Sequence, residues 1–167
     1  LATEKVGKFL GGRAFVTWRR DAEYYASGPW RGRWKTEGGG VVVNQSIHTL
    51  DLLQWFAGGV DRVKAHVDTR LLEGVIEVED TADATFIHPG GATSIFYATN
   101  CHVTDAPVEI DLVCENATLR LARDLTVTYR DGTVEKYTEE DRKAGGKAKT
   151  CWGSGHAVLI DDFYEKI

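Results

Sequence analysis

Three polar residues, Asn44, His48 and Asp51, follow a run of three glycines in the segment E-G-G-G-V-V-V-N-Q-S-I-H-T-L-D at residues 37–51. Their spacings of four and three place them on one face if the segment is helical. Imidazole titrates near neutral pH and can take a proton from a hydroxyl group, while amide and carboxylate groups can orient a ligand. Glycines lack a Cβ atom, so the backbone of residues 38–40 can approach a ligand closely. The pattern predicts a site for chemistry where the helix begins.

Aromatic and basic side chains fill the loop that runs into the glycines, at residues 19–36. Flat aromatic faces pack against sugar rings, and the planar guanidinium group of Arg pairs with carboxylate or phosphate groups. Tyr25, Trp30 and Arg31 are therefore predicted substrate contacts, suited to a uronate or a nucleotide diphosphate. Aromatic residues that only anchor the loop by packing would show the same pattern, and the residue types favour neither interpretation.

The segment after the glycines has the apolar spacing of a helix, which we predict over residues 42–57. Apolar residues recur there at intervals of three and four and form a stripe that would face the core. The stripe consists of Val43, Ile47, Leu50, Leu53 and Ala57. Gly58 and Gly59 end the helix, because glycine readily adopts the conformation that follows a last helical turn.

Beyond the helix the apolar period changes to two, which is typical of β-strands. In the strand predicted at residues 61–69, Val63, Ala65 and Val67 alternate with polar residues, which predicts one buried face. Other predicted strands occupy residues 13–18, 83–87, 92–100, 108–114, 117–121 and 125–129, and Asp131-Gly132 marks a hairpin. A charged loop is expected at 139–149 and a helix at 155–167. This segregation of elements indicates an α+β fold with a largely antiparallel sheet.

Composition excludes several classes of protein. The net charge of −5 argues against a general nucleic-acid binder, and no apolar run is long enough to span a bilayer. The cysteines Cys101, Cys114 and Cys151 are scattered and odd in number, which is typical of a reducing cytoplasm rather than a disulfide framework. No two histidines stand at ligand spacing with an acidic cluster, so we predict no metal site.

The segment W-R-G-R-W-K-T-E-G-G-G-V-V-V-N-Q-S-I-H-T-L-D-L-L-Q-W-F-A-G at residues 30–58 resembles the signature of the Gfo/Idh/MocA family of NAD(P)-dependent oxidoreductases. It is similar to the C-terminal half of that family. V-E-D-T-A at residues 78–82 agrees, as do C-W-G-S-G-H at 151–156 and D-F-Y at 162–164. The motifs follow one another in order across nearly the whole chain, which makes the resemblance specific.

The resemblance implies an open antiparallel sheet with helices on one face, as in the C-terminal domain of glyceraldehyde-3-phosphate dehydrogenase. Residues 1–167 would form a single C-terminal domain for substrate binding and oligomerisation, with dimers or tetramers formed through the sheet. The chain begins at Leu1 and contains neither G-x-G-x-x-G nor the E-K-P lysine of the family. We therefore expect the Rossmann domain, which would bind most of the NAD or NADP, to lie outside this chain. The chain alone is expected to be inactive.

Site roles follow from the resemblance residue by residue. His48 takes the position of the catalytic base, and Asn44 takes a position that is Asp in many members but Asn in those similar to the nucleotide-sugar 3-dehydrogenases. Asn44 would orient the hydroxyl or the nicotinamide amide, with Gly39 and Gly40 beside the cofactor. By its place on the predicted helix, Asp51 would contact substrate, hold the other nitrogen of His48, or cap a neighbouring element.

The implied reaction is oxidation of a sugar, polyol or nucleotide-sugar hydroxyl by hydride transfer to nicotinamide. The alternatives are a non-catalytic self-associating module and a sensor derived from the same family. The residues identify neither the sugar nor the choice between NAD and NADP.

Overall fold

The computed structural model describes residues 3–138 and 155–166 of the chain. The chain divides into two compact units, Leu1–Lys136 and Tyr137–Ile167, which are considered separately. The helices are α1 (Thr3–Val6), α2 (Ala22–Ala26), α3 (Ile47–Ala57) and α4 (Gly155–Glu165), and a π-helical turn occupies Val41–Gln45. The strands are β1 (Phe9–Thr17), β2 (Arg62–Asp68), β3 (Thr81–Ile87), β4 (Thr93–Thr99), β5 (Glu109–Cys114), β6 (Ala117–Leu121), β7 (Leu125–Tyr129) and β8 (Val134–Tyr137).

The strands form one open sheet in the order β2-β3-β4-β1-β5-β6-β7-β8. The pairs β2–β3, β3–β4, β1–β5, β5–β6 and β6–β7 are antiparallel, whereas β1 and β4 are parallel. Strand β1 lies between β4 and β5 in the sheet, although β2 and β3 separate it from β4 in the chain. This long connection allows β1 and β4 to run parallel, which a tight hairpin would not. The α+β fold and the largely antiparallel sheet predicted from the sequence are confirmed.

One face of the central strands forms the core. Pairing places Ala14 of β1 opposite Phe96 of β4 and Ile110 of β5, so the three side chains share one face of the sheet. All three are buried, and Leu53 of α3 belongs to the same cluster. Helix α3 packs on β1 and covers this part of the sheet. The helix therefore holds its outward side chains on a rigid support.

The helix predicted as continuous from residue 42 is two elements. The π-helical turn Val41–Gln45 comes first, and Ser46 then separates it from α3. The Ser46 backbone N–H donates to the Val41 carbonyl at 3.0 Å, which is the i→i+5 pattern of a π-turn. The extra residue shifts the helical phase, so Val43 and Ile47 are 47% and 45% exposed rather than buried. The prediction was wrong for these two residues and correct for Leu53 and Ala57, which are buried.

The edge strand β2 is exposed along its whole length, although one buried face was predicted for it. Val63 and Val67 pair with Phe86 and Ala82 of β3 and so point to the core side of the sheet. They are nevertheless 55% and 54% exposed. The reason is that α3 lies over β1, in the middle of the sheet, and does not cover this edge.

Helix α4 confirms the helix predicted near the end of the chain. The loop predicted at 139–149 lies outside the described residues, as does most of the motif at 151–156. Among the helices that the structure describes, none is long and apolar enough to cross a membrane.

Candidate active site

The glycine-led turn is held by a buried acid from a distant part of the chain. Glu79 Oε1 accepts hydrogen bonds from the Gly40 and Val42 backbone N–H groups at 2.9 and 3.1 Å. The Val41 N–H donates to the Glu79 carbonyl at 3.0 Å. A Cβ atom on Gly40 would lie 1.8 Å from that same carbonyl oxygen. The close approach that requires glycine at position 40 is therefore an approach to the protein's own backbone.

The other two glycines differ from Gly40 in their surroundings. A Cβ atom on Gly39 would lie 2.7 Å from the Val43 side chain, so this buried glycine is also fixed by internal packing. Gly38 is exposed, has φ of +84°, and has open space where a Cβ atom would be. Backbone at Gly38 is thus the part of the glycine run that a ligand could approach most freely.

The structure places all three predicted polar residues on the solvent side of the turn and of α3. Asn44, His48 and Asp51 are exposed, whereas Thr49 and Leu53 on the other side of the helix are buried. Asp51 Oδ1 accepts a hydrogen bond from Gln54 Nε2 at 3.1 Å, and it makes none with His48. Within residues 3–138 and 155–166, the imidazole of His48 has no hydrogen-bond partner, so both ring nitrogens are available to a ligand.

Arg31 is the centre of the aromatic loop. Its guanidinium carbon lies 4.3 Å from the ring centroid of Tyr24 and 4.4 Å from that of Trp30, and one guanidinium nitrogen donates to the Tyr24 hydroxyl. Its Nε atom is buried without a hydrogen-bond partner. No carboxylate pairs with Arg31 in the described part of the chain, whereas Arg33 pairs with Glu77 at 2.9 Å. The loop therefore holds a half-buried cation that lacks a counter-ion.

A pocket of about 290 Å³ opens beside this cation. Its walls combine apolar side chains, glycine backbone and two guanidinium groups: Ala22, Tyr25, Ala26, Gly28, Pro29, Arg31, Arg33 and Val75. Trp30 is 43% exposed at the same loop. Positive charge beside apolar walls and an open aromatic face suits a ligand that has both an acidic group and a ring.

Tyr25 is mainly a buried anchor that also contributes to the pocket wall. Its hydroxyl accepts a hydrogen bond from Asn100 Nδ2 at 2.9 Å, and the same amide donates to Gln45 Oε1 at 3.0 Å. Burial raises the pKa of the Tyr25 phenol to about 12, which keeps it neutral. Gln45 Nε2 in turn donates to the Tyr24 hydroxyl at 3.4 Å. This network connects the aromatic loop to the turn that bears Asn44.

Three acidic residues make contacts here that were not predicted from the sequence. Glu37 accepts hydrogen bonds from Asn44 Nδ2 and from the Gly32 backbone N–H. Glu79 holds the π-helical turn. Asp80 is fully buried and accepts from the backbone N–H groups of residues 70–72. Glu79 and Asp80 lie in the V-E-D-T-A motif, which supported the family resemblance. The motif did not predict the hydrogen-bond partners of these two acids, because the partners lie elsewhere in the sequence.

The pKa of Asp80 reflects two opposing effects. Burial alone would raise it, but the hydrogen bonds from the Arg70 backbone and from the Thr81 hydroxyl stabilise the carboxylate more, so the pKa is lowered. Among the described residues, no group of three or more His, Cys, Asp or Glu side chains could hold a metal ion.

Solved structures with the same fold bind NADH. The WlbA dehydrogenase from Bordetella pertussis, solved with NADH and UDP-GlcNAcA, is 31% identical with a TM-score of 0.64, and the match covers 71% of this chain and 35% of that chain. The WlbA dehydrogenase from Chromobacterium violaceum, solved with the same two ligands, is 24% identical with a TM-score of 0.72 over 98% of this chain and 46% of that chain. A levoglucosan dehydrogenase, solved with NADH and levoglucosan, is 17% identical with a TM-score of 0.73 over 95% and 48%.

The chain therefore spans about a third to a half of the length of these dehydrogenases. No match is found among curated proteins. The profile of the GFO/IDH/MocA C-terminal domain matches residues 1–120, which include the glycine run, Asn44, His48 and the V-E-D-T-A motif. By this match, and by its open mixed sheet, the chain belongs to the GFO/IDH/MocA family, whose C-terminal domain it contains.

Proposed function

We propose that this chain is the substrate domain of a longer NAD(P)-dependent oxidoreductase that oxidises a hydroxyl group of a sugar or nucleotide sugar. The observation that carries the proposal is an exposed imidazole, His48, beside an exposed amide, Asn44, on a rigidly supported face. Val43, Ile47 and Trp55 are exposed around them. An apolar patch that surrounds polar groups marks a surface covered by a ligand or another domain.

In this proposal His48 accepts the proton of the reacting hydroxyl. Neutral imidazole has one ring nitrogen with a free lone pair that can accept a proton, which suits general-base work. Asn44 does not exchange protons at neutral pH and orients the ligand by hydrogen bonding. Asp51 lies one turn further along α3 and contacts a more distant part of the substrate. When bound, the nicotinamide accepts the hydride from the carbon atom that bears the hydroxyl.

The described residues fit one edge of a nicotinamide cofactor rather than the whole of it. Gly38 offers open backbone, and the Asn44 amide is exposed beside it, which suits a carboxamide group. Gly39 and Gly40 are buried by internal packing, so they support this edge and do not contact the cofactor themselves. Most of the NAD or NADP would be bound by a Rossmann domain outside these residues, with residues 1–167 acting as the C-terminal domain.

We further propose that the substrate carries an acidic group, bound by Arg31. A half-buried guanidinium without a counter-ion lowers its free energy by pairing with a carboxylate or phosphate group. The adjacent Trp30 face suits a sugar or base ring, and Tyr25 forms part of the pocket wall. The 31% identical WlbA dehydrogenase binds UDP-GlcNAcA, which has both kinds of acidic group. An acidic nucleotide sugar is the substrate class that these residues favour.

The outer face of the sheet is proposed as the oligomer interface. Ile95 of β4 and Val113 of β5 are 54% and 44% exposed there, and a second copy would bury both. A cytoplasmic location is proposed because Cys101 and Cys114 are free thiols.

The test uses the longer protein with NAD⁺ and two sugar panels, one of UDP-uronates and one of neutral sugars. We expect NADH formation to be faster with the acidic panel. Arg31→Ala should raise KM for the UDP-uronate by about 10- to 100-fold, the usual effect of losing a hydrogen bond to a charged group, and leave neutral sugars unaffected. Arg62→Ala, an exposed Arg at the sheet edge, is the matched control.

Equal effects of Arg31→Ala on both panels would contradict the acidic substrate class. If neither NAD⁺, nor NADP⁺ supplied in its place, is reduced with any sugar while sedimentation still shows a dimer, the non-catalytic self-associating module replaces the enzyme.

A further inference from the structure

We propose that Glu37 is a positioning residue that turns the Asn44 amide so that its carbonyl oxygen, and not its NH₂ group, faces the ligand. The inference rests on the proposed function and adds a rule about what the site recognises at this point. Asn44 would accept a hydrogen bond from an O–H or N–H group of the ligand and would disfavour a group that can only accept.

The contacts of Glu37 determine the orientation. Its Oε1 atom accepts a hydrogen bond from Asn44 Nδ2, and its Oε2 atom accepts one from the Gly32 backbone N–H. Amide nitrogen and oxygen look alike in shape, but an ionised carboxylate can only accept hydrogen bonds. The group of Asn44 that faces Glu37 must therefore be NH₂. Its carbonyl oxygen points away, and it has no partner in residues 3–138 and 155–166, where the side chain is exposed.

Glu37 is itself held firmly. Gly32 is buried with φ of +70°, and a Cβ atom there would lie 2.6 Å from the Ile76 side chain. The Gly32 carbonyl accepts the Glu77 backbone N–H at 2.7 Å. Because Gly32 is buried and its carbonyl is hydrogen-bonded, the carboxylate of Glu37 has a firmly placed partner at one end and can hold Asn44 at the other.

The pairing also changes the strength of Asn44 as an acceptor. Hydrogen bonds in a chain polarise one another, so a carboxylate on the NH₂ side of an amide makes the carbonyl oxygen a stronger acceptor. The Asn44 backbone N–H donates to the Gly40 carbonyl at 2.9 Å, which fixes the residue on the glycine-led turn. Asn44 and Glu37 together act as an amide with a negative charge behind it.

This arrangement explains why an amide, rather than a carboxylate, stands at position 44. An aspartate there would place two carboxylates against each other, and like charges in one site disfavour ionisation of one of them. With Glu37 present, Asn44 supplies the outward oxygen without that repulsion. Two ligand donors could meet this oxygen: a hydroxyl group of the sugar, or the carboxamide NH₂ of the nicotinamide.

The orientation is tested first on the 167-residue chain by NMR of the side-chain amides, without any activity assay. We expect Glu37→Gln to shift the Asn44 NH₂ resonances strongly. The oxygen of the introduced amide would accept from Gly32, so its NH₂ group would face Asn44 and turn that side chain over. The Gln54 NH₂ resonances, from the amide that bonds Asp51, should not move. Unchanged Asn44 resonances in Glu37→Gln would overturn the proposal.

The second test exchanges the carboxylate at position 37 and the amide at position 44 in the longer protein, with NAD⁺ and a UDP-uronate as probes. Glu37→Gln turns an NH₂ group outward, and Asn44→Asp brings two carboxylates together, so each single variant should lower kcat/KM by about 10-fold or more. In the double variant the introduced amide donates to the introduced carboxylate, whose other oxygen faces outward again. We expect the double variant to recover to within about threefold of wild type.

A merely structural role for Glu37 would instead give losses that multiply, and that result would sink the proposal. If the double variant recovers KM for the sugar, the group that donates to Asn44 is a sugar hydroxyl. If it recovers Kd for NADH, that group is the carboxamide NH₂ of the nicotinamide. Should the wild-type protein oxidise no sugar at all, the proposed function fails, while the NMR result still decides the role of Glu37.

Discussion

Two histidines in this chain have opposite surroundings. His88, in the turn between β3 and β4, is 0% exposed, with Nδ1 2.6 Å from the Gly59 carbonyl and Nε2 2.7 Å from Ser94 Oγ. A carbonyl can only accept, so Nδ1 carries a proton; when the ring is neutral, the Ser94 hydroxyl donates to Nε2. The ring of Phe9 packs edge-on against it. His48, on α3, is exposed and has no such partners among the described residues.

The difference separates a histidine whose ring the fold satisfies from one whose ring is left to a ligand in the proposed function. Every hydrogen-bonding atom of the His88 ring is satisfied by the protein, so the fold determines its tautomer and leaves nothing for a ligand. Neither ring nitrogen of His48 has a partner in the described part of the chain, and the other face of its helix is fixed in the core. Exposure alone does not imply function, and the role proposed for His48 rests on its free ring together with Asn44 and the exposed apolar side chains of the same surface.

The strongest test of the contrast is His48→Ala in the longer protein. We expect kcat to fall by about 10²-fold or more, which is the usual effect of losing a general base. Stability should change by no more than about 0.5 kcal/mol, because an exposed side chain without partners is removed. Steady-state kinetics together with urea unfolding measures both effects. Turnover close to wild type would refute the assignment of the base.

The reciprocal variant is His88→Ala. It leaves the Gly59 carbonyl and the Ser94 hydroxyl unsatisfied in a buried cavity, so we expect the free energy of unfolding to fall by about 2–3 kcal/mol. Urea unfolding of the 167-residue chain measures this, with His48→Ala as the control. Equal stability of the two variants would remove the contrast between the histidines.

The contrast extends to two aspartates and predicts a pH dependence. Asp80→Asn should lower the free energy of unfolding at neutral pH by about 2 kcal/mol, since an amide cannot accept all the backbone N–H bonds. The folded-state pKa of Asp80 is lowered, so its stabilising contribution is present above its ordinary pKa of about 3.9 and is lost as the pH falls through the folded value.

The effect of Asp80→Asn should therefore be large at about pH 7 and smaller at about pH 3, where the unfolded chain binds a proton at Asp80 and the folded carboxylate resists it. Asp51→Asn, on the exposed face of α3, should have little effect on stability at either pH. Urea unfolding at both values measures the change. An effect of Asp80→Asn that does not depend on pH would contradict the role of its charge.

Local patterns in the sequence predicted most elements of the fold. Alternating residues indicated β4 and β5, and the apolar spacing indicated α3 with its end at Gly58, which has φ of +81°. The period of the apolar residues reflects which face of each element is buried, so periodicity and turn residues are sufficient to locate these elements. The π-helical turn was missed because its hydrogen bonds to Glu79 cross 39 residues, and no local spacing encodes them. The exposure of β2 was missed for a related reason, since alternation cannot show where the covering helix lies.

The candidate site divides in the same way. The sequence by itself determined the family, the glycine run, and the placement of the polar residues Asn44 and His48 outside the core, because residue type and short spacing set these properties. Only the tertiary structure decided what each group touches. It assigned Gly40 to the backbone of Glu79, gave Asn44 its partner Glu37, and left Arg31 between two aromatic rings without a counter-ion among the described residues. The contact of Gly40 depends on where two distant segments of the chain meet. The contacts of Asn44 and Arg31 join residues of one loop and turn, whose conformation no periodic spacing encodes.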